Sequence, residues 1–412
     1  MSVTTGSELA AARAAAELRT TQAVRSRANA LLDRARSDES PWFHVNDDAL
    51  PAAAQHVSNL TRDRYPDLAI PYHSRWRHFE AGGVDRKADL DARLAGADAA
   101  ARARAMIDLT VVSVLLDAGA GAGWSYHENG SGQHFARSEG LAVASFHAFC
   151  TGLFSGDRSD PLRVDAEGLR AVTVDGLAAA FQVSSDNPMV GLDGRAALLH
   201  RLGDALAADP AVFGGDRRAG RLYDALAHHG DITAHAVLTM LLTTLSGIWL
   251  APNMIGSEPL GDCWQHSAVA GHGLTRGWMP FHKLSQWLTY SLLEPFEWSG
   301  TRVDGLDALT GLPEYRNGGL LLDTGVLRLR EAQWAGQNWS VGDELVIEWR
   351  ALTVALLDEL VPLVREQLGV SSDRLPLACV LEGGTWAAGR MLAQRLRGGL
   401  PPLAIISDGT VF

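Results

Sequence analysis

The amino-acid sequence predicts a large, mainly α-helical globular protein with minor β elements. Three observations support this fold class. Hydrophobic residues make up 47% of the 412 residues and charged residues only 20%, which supplies a sizeable core and excludes a disordered chain. Windows with apolar residues at helical spacing dominate the sequence. Segments that alternate polar and apolar residues are few, and there is no internal repeat.

Residues 1–40 are predicted to form one long N-terminal amphipathic helix. Thr5 and Glu8 have the spacing of a capping box, and apolar residues recur at helical spacing in an Ala/Arg-rich stretch. The charged turn 37–40 ends the helix, and Pro41 opens the main body. Residues 41–412 contain no low-complexity linker and are predicted to form a single helical catalytic domain, with two lobes as an open alternative.

The main body alternates predicted helices with a few short strands. Strands are expected at 133–136, which follows a turn at 129–132, within 327–339, and at 403–407. Helices are expected at 92–118, 138–154, 194–207, 219–228, 232–250, 282–293, 344–368 and 385–396.

Charge and targeting signals exclude several functional classes. The formal net charge of −12 repels phosphate polyanions, so neither nucleic acid nor an anionic membrane surface is an expected partner. The apolar run 236–251 is too short to span a membrane and contains four hydroxyl residues, so it is predicted to be a buried core helix. Three scattered cysteines and the lack of a secretory signal predict a cytoplasmic protein, and the oligomeric state stays open.

Lysine is rare in this chain. It occurs only at Lys87 and Lys283, so arginine supplies the other 34 of the 36 basic residues. A lysine that persists in such a chain indicates a task for a compact ammonium whose pKa is adjustable, which a planar guanidinium does not perform.

The densest chemical cluster lies between residues 281 and 350. Its three charged segments, around Lys283, Glu314 and Glu348, each place charge beside bulky apolar residues, an arrangement that shifts pKa values. The structural alternative is a buried ion network of Glu314, Arg316, Glu348 and Arg350 that ties helices together. The rare Lys283 favours a functional role, because arginine could have served as a structural partner.

Several segments resemble a known family. They are the stretches 70–79, 137–143, 282–292, 381–386 and the C-terminal 407–412. From Pro41 to the C-terminus, the chain resembles the DUF1688 family, the uracil-catabolism proteins of fungi and bacteria that are encoded beside other genes of the ribosylurea route. This resemblance implies a role in the breakdown of uracil.

A weaker resemblance links the C-terminal half to the queuosine salvage proteins, nucleoside 5′-monophosphate N-glycosidases with a helical, DNA-glycosylase-like fold. Their Tyr-Lys-Arg-Ala-Gln motif is similar to residues 282–286, and their Ala-Asp-Tyr-Arg motif is similar to residues 313–316. Their Glu-x-Glu-Ile-Arg segment resembles 346–350, and their base-binding aromatic segment resembles 124–128. Glu314 stands where that family has its catalytic aspartate.

These residues lead to predicted site roles. A fixed carboxylate beside ribose C1′ stabilises an oxocarbenium-like transition state or activates water, which is the role predicted for Glu314. Lys283 is predicted to hold that carboxylate ionised or to bind ribose or phosphate oxygens. For the aromatic residues, core packing is the alternative. Substrate-binding roles are predicted for Trp124, Tyr126, Glu128, Ser138, Glu139, His282, Tyr315, Arg316 and Arg350.

Other signals are weaker. Asp231 and His235 share a helical face near the histidines at 228 and 229, but supporting carboxylates are lacking, and a helix end with surface histidines is the alternative, so no metal and no cofactor is predicted. The turn at 382–385 could present backbone N–H groups to an anion, as many loops do.

The first functional hypothesis is a metal-independent N-glycosidase. It hydrolyses the ribose C1′–N bond of a ribosylurea-type or related nucleoside 5′-phosphate in uracil catabolism, so its partner is a small phosphorylated ribosyl substrate. The alternative is a non-catalytic protein that binds or channels an intermediate of pyrimidine breakdown. A DNA-base glycosylase is disfavoured by the negative charge and the lack of a basic stripe.

Overall fold

The computed structural model describes residues 6–227 and 230–406 and is mainly α-helical. The predicted fold class is therefore confirmed. A π-helical turn, Leu381–Thr385, joins the last two helices. The helices in chain order are α1 (Gly6–Leu18), α2 (Thr21–Arg36), α3 (Leu50–Arg64), α4 (Arg75–Phe79), α5 (Arg86–Arg93), α6 (Ala99–Leu115), α7 (Arg137–Cys150), α8 (Ala166–Ala171), α9 (Val174–Ala180), α10 (Leu192–Ala208), α11 (Pro210–Phe213), α12 (Leu222–Ala227), α13 (Ala234–Leu245), α14 (Lys283–Trp298), α15 (Tyr315–Asp323), α16 (Glu344–Leu368), α17 (Leu377–Val380) and α18 (Trp386–Arg397).

The strands of the described residues are short and form two-stranded sheets. The pairs β1–β10, β2–β3, β5–β6 and β7–β8 are antiparallel, and β4–β9 and β11–β12 are parallel. The strands are β1 (Phe43–Val45), β2 (Ser125–Glu128), β3 (Gln133–Ala136), β4 (Ile232–Thr233), β5 (Met254–Ile255), β6 (Glu258–Pro259), β7 (Cys263–Gln265), β8 (Trp278–Pro280), β9 (Val303–Asp304), β10 (Leu327–Leu329), β11 (Asn338–Ser340) and β12 (Ala404–Ile406).

The chain divides into two compact units. The first unit comprises the described residues up to His73 together with Pro252–Gln286 and Gly305–Ile406. The second unit comprises Ser74–Ala251 and Trp287–Asp304.

Helix α16 forms the centre of the first unit. Its residues from Leu345 to Leu357 are all buried, so the helix is covered on every side over its first four turns. Helices α2, α3 and α15 pack against it. Gly318 allows the close approach of α15, because a Cβ at this position would lie 2.7 Å from the ring of Trp349. The helix ends at Gly369, which adopts the left-handed conformation typical of a C-terminal cap.

Helices α6 and α10 form the core of the second unit. Helix α6 packs against α7 and α12, and α10 packs against α8. The apolar run 236–251, predicted to be a buried core helix, forms α13 only as far as Leu245, and α13 buries one face. Among the helices of the described residues, none is both long and apolar enough to cross a membrane.

The prediction of one helix over residues 1–40 is wrong. Helix α1 ends at Leu18 and α2 begins at Thr21. The cause is local, because the hydroxyl of Thr20 accepts a hydrogen bond from the backbone N–H of Ala23 at 3.1 Å and so starts a new helix. The predicted capping residue Thr5 lies outside the described residues.

The other predicted helices and strands lie near the observed ones, but their lengths differ from the observed lengths. The strand predicted at 133–136 is β3, and it pairs with β2 across the predicted turn. The stretch 327–339 contains two strands, β10 and β11, which join different sheets. The sequence analysis missed helix α3, which has a proline in its first turn.

Candidate functional site

The backbone at the start of α14 is held by His282 and Asp262. His282 has a φ of +51°, a left-handed conformation that is uncommon for a residue with a side chain. Its Nε2 donates to the carbonyl of Leu18 at 3.0 Å, and burial lowers the pKa of the ring. The backbone N–H of Lys283 donates to Oδ2 of Asp262 at 3.0 Å. The position of Lys283 is therefore fixed by its neighbours.

A buried ion pair of Asp262 and Arg350 connects this helix start to the next loop. Arg350 donates two hydrogen bonds to the carboxylate, at 2.8 and 2.7 Å, and its Nε donates to the carbonyl of Pro313 at 3.3 Å. Both side chains are nearly inaccessible to solvent. Burial alone would raise the pKa of Asp262, but Arg350 and the N–H groups of Lys283 and Trp264 outweigh it and lower the pKa to about 2. Arg350 thus links Asp262, which holds the backbone N–H of Lys283, to Pro313, which precedes Glu314.

We expect this ion pair to make the free energy of unfolding depend on pH in the acidic range. The folded pKa of Asp262, about 2, is below its ordinary value of 3.8, so its stabilisation is complete above about pH 5 and is lost as the pH falls through about 2. The shift corresponds to about 2 kcal/mol. Chemical denaturation should show that the free-energy difference between wild type and Asp262→Asn shrinks by this amount from pH 6 to pH 2. A pH-independent difference would contradict the assignment.

Glu314 is the N-cap residue of α15. Its two carboxylate oxygens accept hydrogen bonds from the backbone N–H groups of Asn317, at 2.6 Å, and Arg316, at 2.7 Å. Burial raises the pKa of Glu314, and the two N–H groups and the charges of Lys283 and Arg316 offset part of this rise. The structure therefore brings Lys283 and Glu314 together within the first unit. The carboxylate has a fixed orientation and keeps unused lone pairs on both oxygens.

Gln286 ties the first turn of α14 to the loop that leads to Glu314. Its Nε2 donates to the carbonyl of Phe281 at 3.0 Å and to the hydroxyl of Thr310 at 2.6 Å. Its Oε1 accepts from the backbone N–H of Thr310 at 2.8 Å. Gln286 and Asp262 are positioning residues that the sequence analysis did not select.

The remaining predicted residues of the first unit pack around this pair. The guanidinium of Arg316 lies 4.5 Å from the ring centroid of Tyr315, and its Nη1 is 3.4 Å from the carbonyl of Gly399. Helix α18 approaches closely here, because a Cβ at Gly389 would lie 2.0 Å from the carbonyl oxygen of Arg316. Arg316 and Arg350 are both buried.

Glu348 contacts Ser40 and His266, which were not part of the predicted ion network of Glu314, Arg316, Glu348 and Arg350. Its carboxylate accepts a hydrogen bond from the hydroxyl of Ser40, and it lies 3.3 Å from Nε2 of His266. All three residues are buried. Of the other members of the predicted network, Arg350 pairs with Asp262, and Glu314 interacts electrostatically with Arg316.

Trp124, Tyr126 and Glu128 lie in the second unit, in and beside β2. Trp124 is 1% exposed and donates from Nε1 to the carbonyl of Phe181 at 2.9 Å. Tyr126 stacks on His147 with 6.1 Å between ring centroids. Burial alone would raise the pKa of Glu128, but hydrogen bonds, above all from Arg86, lower it to about 2. These contacts are those of the core-packing alternative.

Ser138 and Glu139 also lie in the second unit, in the first turn of α7. Ser138 donates from its hydroxyl to Oδ2 of Asp117 at 3.1 Å, and its carbonyl accepts from Nη1 of Arg75 at 3.1 Å. Glu139 interacts electrostatically with Arg75, whose pKa is lowered by burial.

Two of the segments that resemble the family meet at the π-helical turn. Nδ1 of His73 lies 2.9 Å from Oε2 of Glu382, and the His73 ring centroid lies 5.9 Å from that of Trp386. Arg64 donates to the backbone carbonyls of Glu382 and Gly383, at 2.5 and 3.1 Å. A carboxylate that orients an imidazole can support proton transfer, and π-helical turns are common at functional sites. The backbone of this turn thus accepts hydrogen bonds from Arg64.

No group of three or more histidine, cysteine or carboxylate side chains among residues 6–227 and 230–406 is arranged to hold a metal ion. The histidines at 228 and 229 lie outside these ranges.

Comparison with known proteins identifies the family. The family described as "Protein of unknown function (DUF1688)" matches residues 17–412. The chain belongs to this family. It is 39% identical over 407 residues to "Protein urg3" of Schizosaccharomyces pombe, which covers 96% of this chain and 98% of the relative. It is 40% identical over 390 residues to "Uracil catabolism protein 4" of Lachancea kluyveri, covering 86% of this chain and 88% of the relative.

Proposed function

We propose that this protein acts in uracil catabolism as an N-glycosidase that hydrolyses the ribose C1′–N bond of a ribosylurea-type nucleoside 5′-phosphate. The name of the Lachancea relative supports the pathway. The observation that supports the proposed reaction is the pair of Glu314 and Lys283. It places a fixed carboxylate with a raised pKa beside an ammonium group. This is the charge arrangement that cleavage through an oxocarbenium-like transition state requires.

The reaction balances with water as the only co-reactant. The C1′–N bond breaks, and its electron pair stays on the leaving nitrogen. The oxygen of water bonds to C1′, and a proton passes to the leaving nitrogen, which gives ribose 5-phosphate and urea. Glu314 stabilises the positive charge at C1′ or accepts a proton from the attacking water. Lys283 favours the ionised form of Glu314, because its charge offsets part of the rise that burial causes in the pKa of this carboxyl.

A second candidate function is a protein that binds the same intermediate without cleaving it. One observation favours it: both oxygens of Glu314 accept backbone hydrogen bonds, as a purely structural helix cap would. The two functions differ in whether product forms.

The proposal is tested by incubating the full-length protein with ribosylurea 5′-phosphate, its dephosphorylated form and uridine 5′-monophosphate. We expect ribose 5-phosphate from the first compound and the slowest turnover with the dephosphorylated form. Saturable binding of ribosylurea 5′-phosphate without any product would support the binding function instead.

Lys283→Arg is expected to lower kcat/KM by about tenfold or more, a loss of about 1.4 kcal/mol of transition-state stabilisation. The larger planar group does not fit a site shaped around Glu314 and the substrate. The melting temperature should stay within a few degrees of wild type. Steady-state kinetics and thermal melts on the same samples check both outcomes.

Lys87→Arg is the matched control, because it changes the other lysine of the chain. Lys87 pairs with Asp91 at 2.6 Å and should tolerate arginine without loss of activity. Lys283→Met adds a pH readout: without the ammonium the pKa of Glu314 rises further, so the acid limb of kcat/KM should move to higher pH. An active Lys283→Arg variant, or one that is inactive only because it unfolds, would refute the role.

A further inference from the structure

Three buried side-chain atoms without a hydrogen-bond partner meet in the second unit. They are Nη2 of Arg75, Oδ1 of Asp117 and Nε1 of Trp287, and none of them has a hydrogen-bond partner within the described ranges, although Oδ1 of Asp117 forms an ion pair with Nη1 of Arg75. Arg75 and the side chain of Asp117 are 0% and 6% exposed, and Trp287 is 7% exposed. The guanidinium carbon of Arg75 lies 5.6 Å from the ring centroid of Trp287, and its Nη1 lies 2.9 Å from Oδ1 of Asp117. The three atoms therefore form one cluster.

The rest of the Arg75 and Asp117 side chains is held in place. Arg75 donates from Nε to the hydroxyl of Ser113 at 2.7 Å and from Nη1 to Nδ1 of His78 at 3.1 Å. Asp117 accepts at Oδ2 from the hydroxyl of Ser138. Since these bonds fix Arg75 and Asp117, Nη2 of Arg75 and Oδ1 of Asp117 keep defined positions. Oδ1 keeps a further lone pair beside its ion pair with Nη1 of Arg75.

Unpaired buried polar atoms are uncommon, because each one loses its hydrogen bonds to water without a replacement. Three in one cluster indicate a ligand that supplies the partners. The ligand has to accept hydrogen bonds from two N–H groups and donate one to a carboxylate oxygen. A carbonyl group with an adjacent N–H does both.

The charges around the cluster favour a neutral ligand over an anion. Arg75 faces two carboxylates, Asp117 and Glu139, and the charge of Asp117 also acts on the buried Arg195. The positive charges are thus matched by negative ones, and a phosphate or carboxylate would have to approach two acidic groups. A neutral group meets no such repulsion.

We propose that this cluster is a binding site for a neutral ureido group. The carbonyl oxygen of the ligand accepts from Nη2 of Arg75 and Nε1 of Trp287, and an N–H of the ligand donates to Oδ1 of Asp117. The site includes Ser138 and Glu139, two of the residues predicted to bind substrate, as neighbours of Asp117 and Arg75. It rests on these atoms alone and does not depend on the reaction proposed for Glu314.

The test uses three planar molecules of the same size with the full-length protein. Urea has both a carbonyl group and N–H groups, acetate lacks the N–H groups and is negative, and guanidinium lacks the carbonyl and is positive. Binding is followed through the indole N–H resonances of the ¹⁵N-labelled protein at millimolar ligand. The resonance of Trp287 is assigned from its absence in Trp287→Phe.

We expect urea to shift the Trp287 resonance in a saturable manner, while acetate and guanidinium leave it unchanged. In Trp287→Phe, the affinity for urea measured by calorimetry should fall about three- to tenfold, because one hydrogen bond is lost. Trp42→Phe is the matched control, since Nε1 of Trp42 is also buried without a described partner but lies in the first unit. Its affinity for urea should equal that of wild type.

Three results would overturn the site. They are no response of the Trp287 resonance to urea, a stronger response to acetate than to urea, and equal urea affinities in wild type and Trp287→Phe. The resonance measurement on wild type does not depend on whether a variant folds. Urea binding in a protein without glycosidase activity would leave this site intact and refute only the reaction.

Discussion

Glu314→Gln should fold and lose at least about two orders of magnitude in kcat, because the neutral amide neither stabilises positive charge at C1′ nor accepts a proton from water. The substitution also affects the helix cap. One oxygen becomes an NH2 group that faces a backbone N–H of α15, so we expect a loss of about 1 kcal/mol in the free energy of unfolding. Product formation and chemical denaturation, measured on the same preparation, separate the two effects.

Asp98→Asn is the matched control for the cap. Asp98 is the N-cap residue of α6 and accepts from the backbone N–H of Ala101 at 2.7 Å, in the second unit. The amide oxygen of asparagine can still accept this single bond, so the variant should lose less stability than Glu314→Gln and keep its activity. Full activity in Glu314→Gln would show that the carboxylate is only a cap and would favour the binding function.

Arg350→Met is expected to have the largest effect on stability. It leaves the carboxylate of Asp262 buried without a counter-charge, and breaking a buried pair in this way costs about 3–5 kcal/mol. It also removes the link to Pro313, which is one of the contacts that position Lys283 relative to Glu314, while the link through Gln286 and Thr310 stays. Denaturation with urea or guanidinium chloride measures the loss.

Arg302→Met provides the comparison with an exposed ion pair. Arg302 pairs with Asp231 and Asp304 at the surface, where its side chain is 68% exposed, so the loss should be below about 1 kcal/mol. In the double variant Arg350→Met, Asp262→Asn, part of the stability should return, because the unpaired charge is gone. A loss in Arg350→Met no larger than in Arg302→Met would contradict the structural role of the pair.

The sequence predicts elements well where one pattern continues without interruption. Residues 344–368 read as a helix and form α16, since apolar residues recur over the whole length and Gly369 follows. Prediction from the sequence fails where a single side chain decides whether a helix begins or ends. The hydroxyl of Thr20 splits the predicted N-terminal helix, and α3, which was not predicted, has Pro51 in its first turn, a position that suits proline.

The residues of the candidate site also differ in whether the sequence alone could predict them. Lys283 and Glu314 could be selected because one is a rare residue and both lie in charged segments at helix starts. Asp262 could not, because it holds Arg350 across 88 residues of sequence and no local pattern records such a pairing. Trp124 is an aromatic residue of the type that binds bases, yet it is a core side chain whose indole N–H donates to the carbonyl of Phe181.

The most direct test of the central claim is the stoichiometry of products from ribosylurea 5′-phosphate in the presence of a metal chelator. If Glu314 and Lys283 perform the reaction without a metal, urea and ribose 5-phosphate should appear in equal amounts, at the same rate with and without the chelator. Ammonia in place of urea would mean that the ureido group is attacked instead of C1′. That result, or no product at all, would contradict the proposed N-glycosidase.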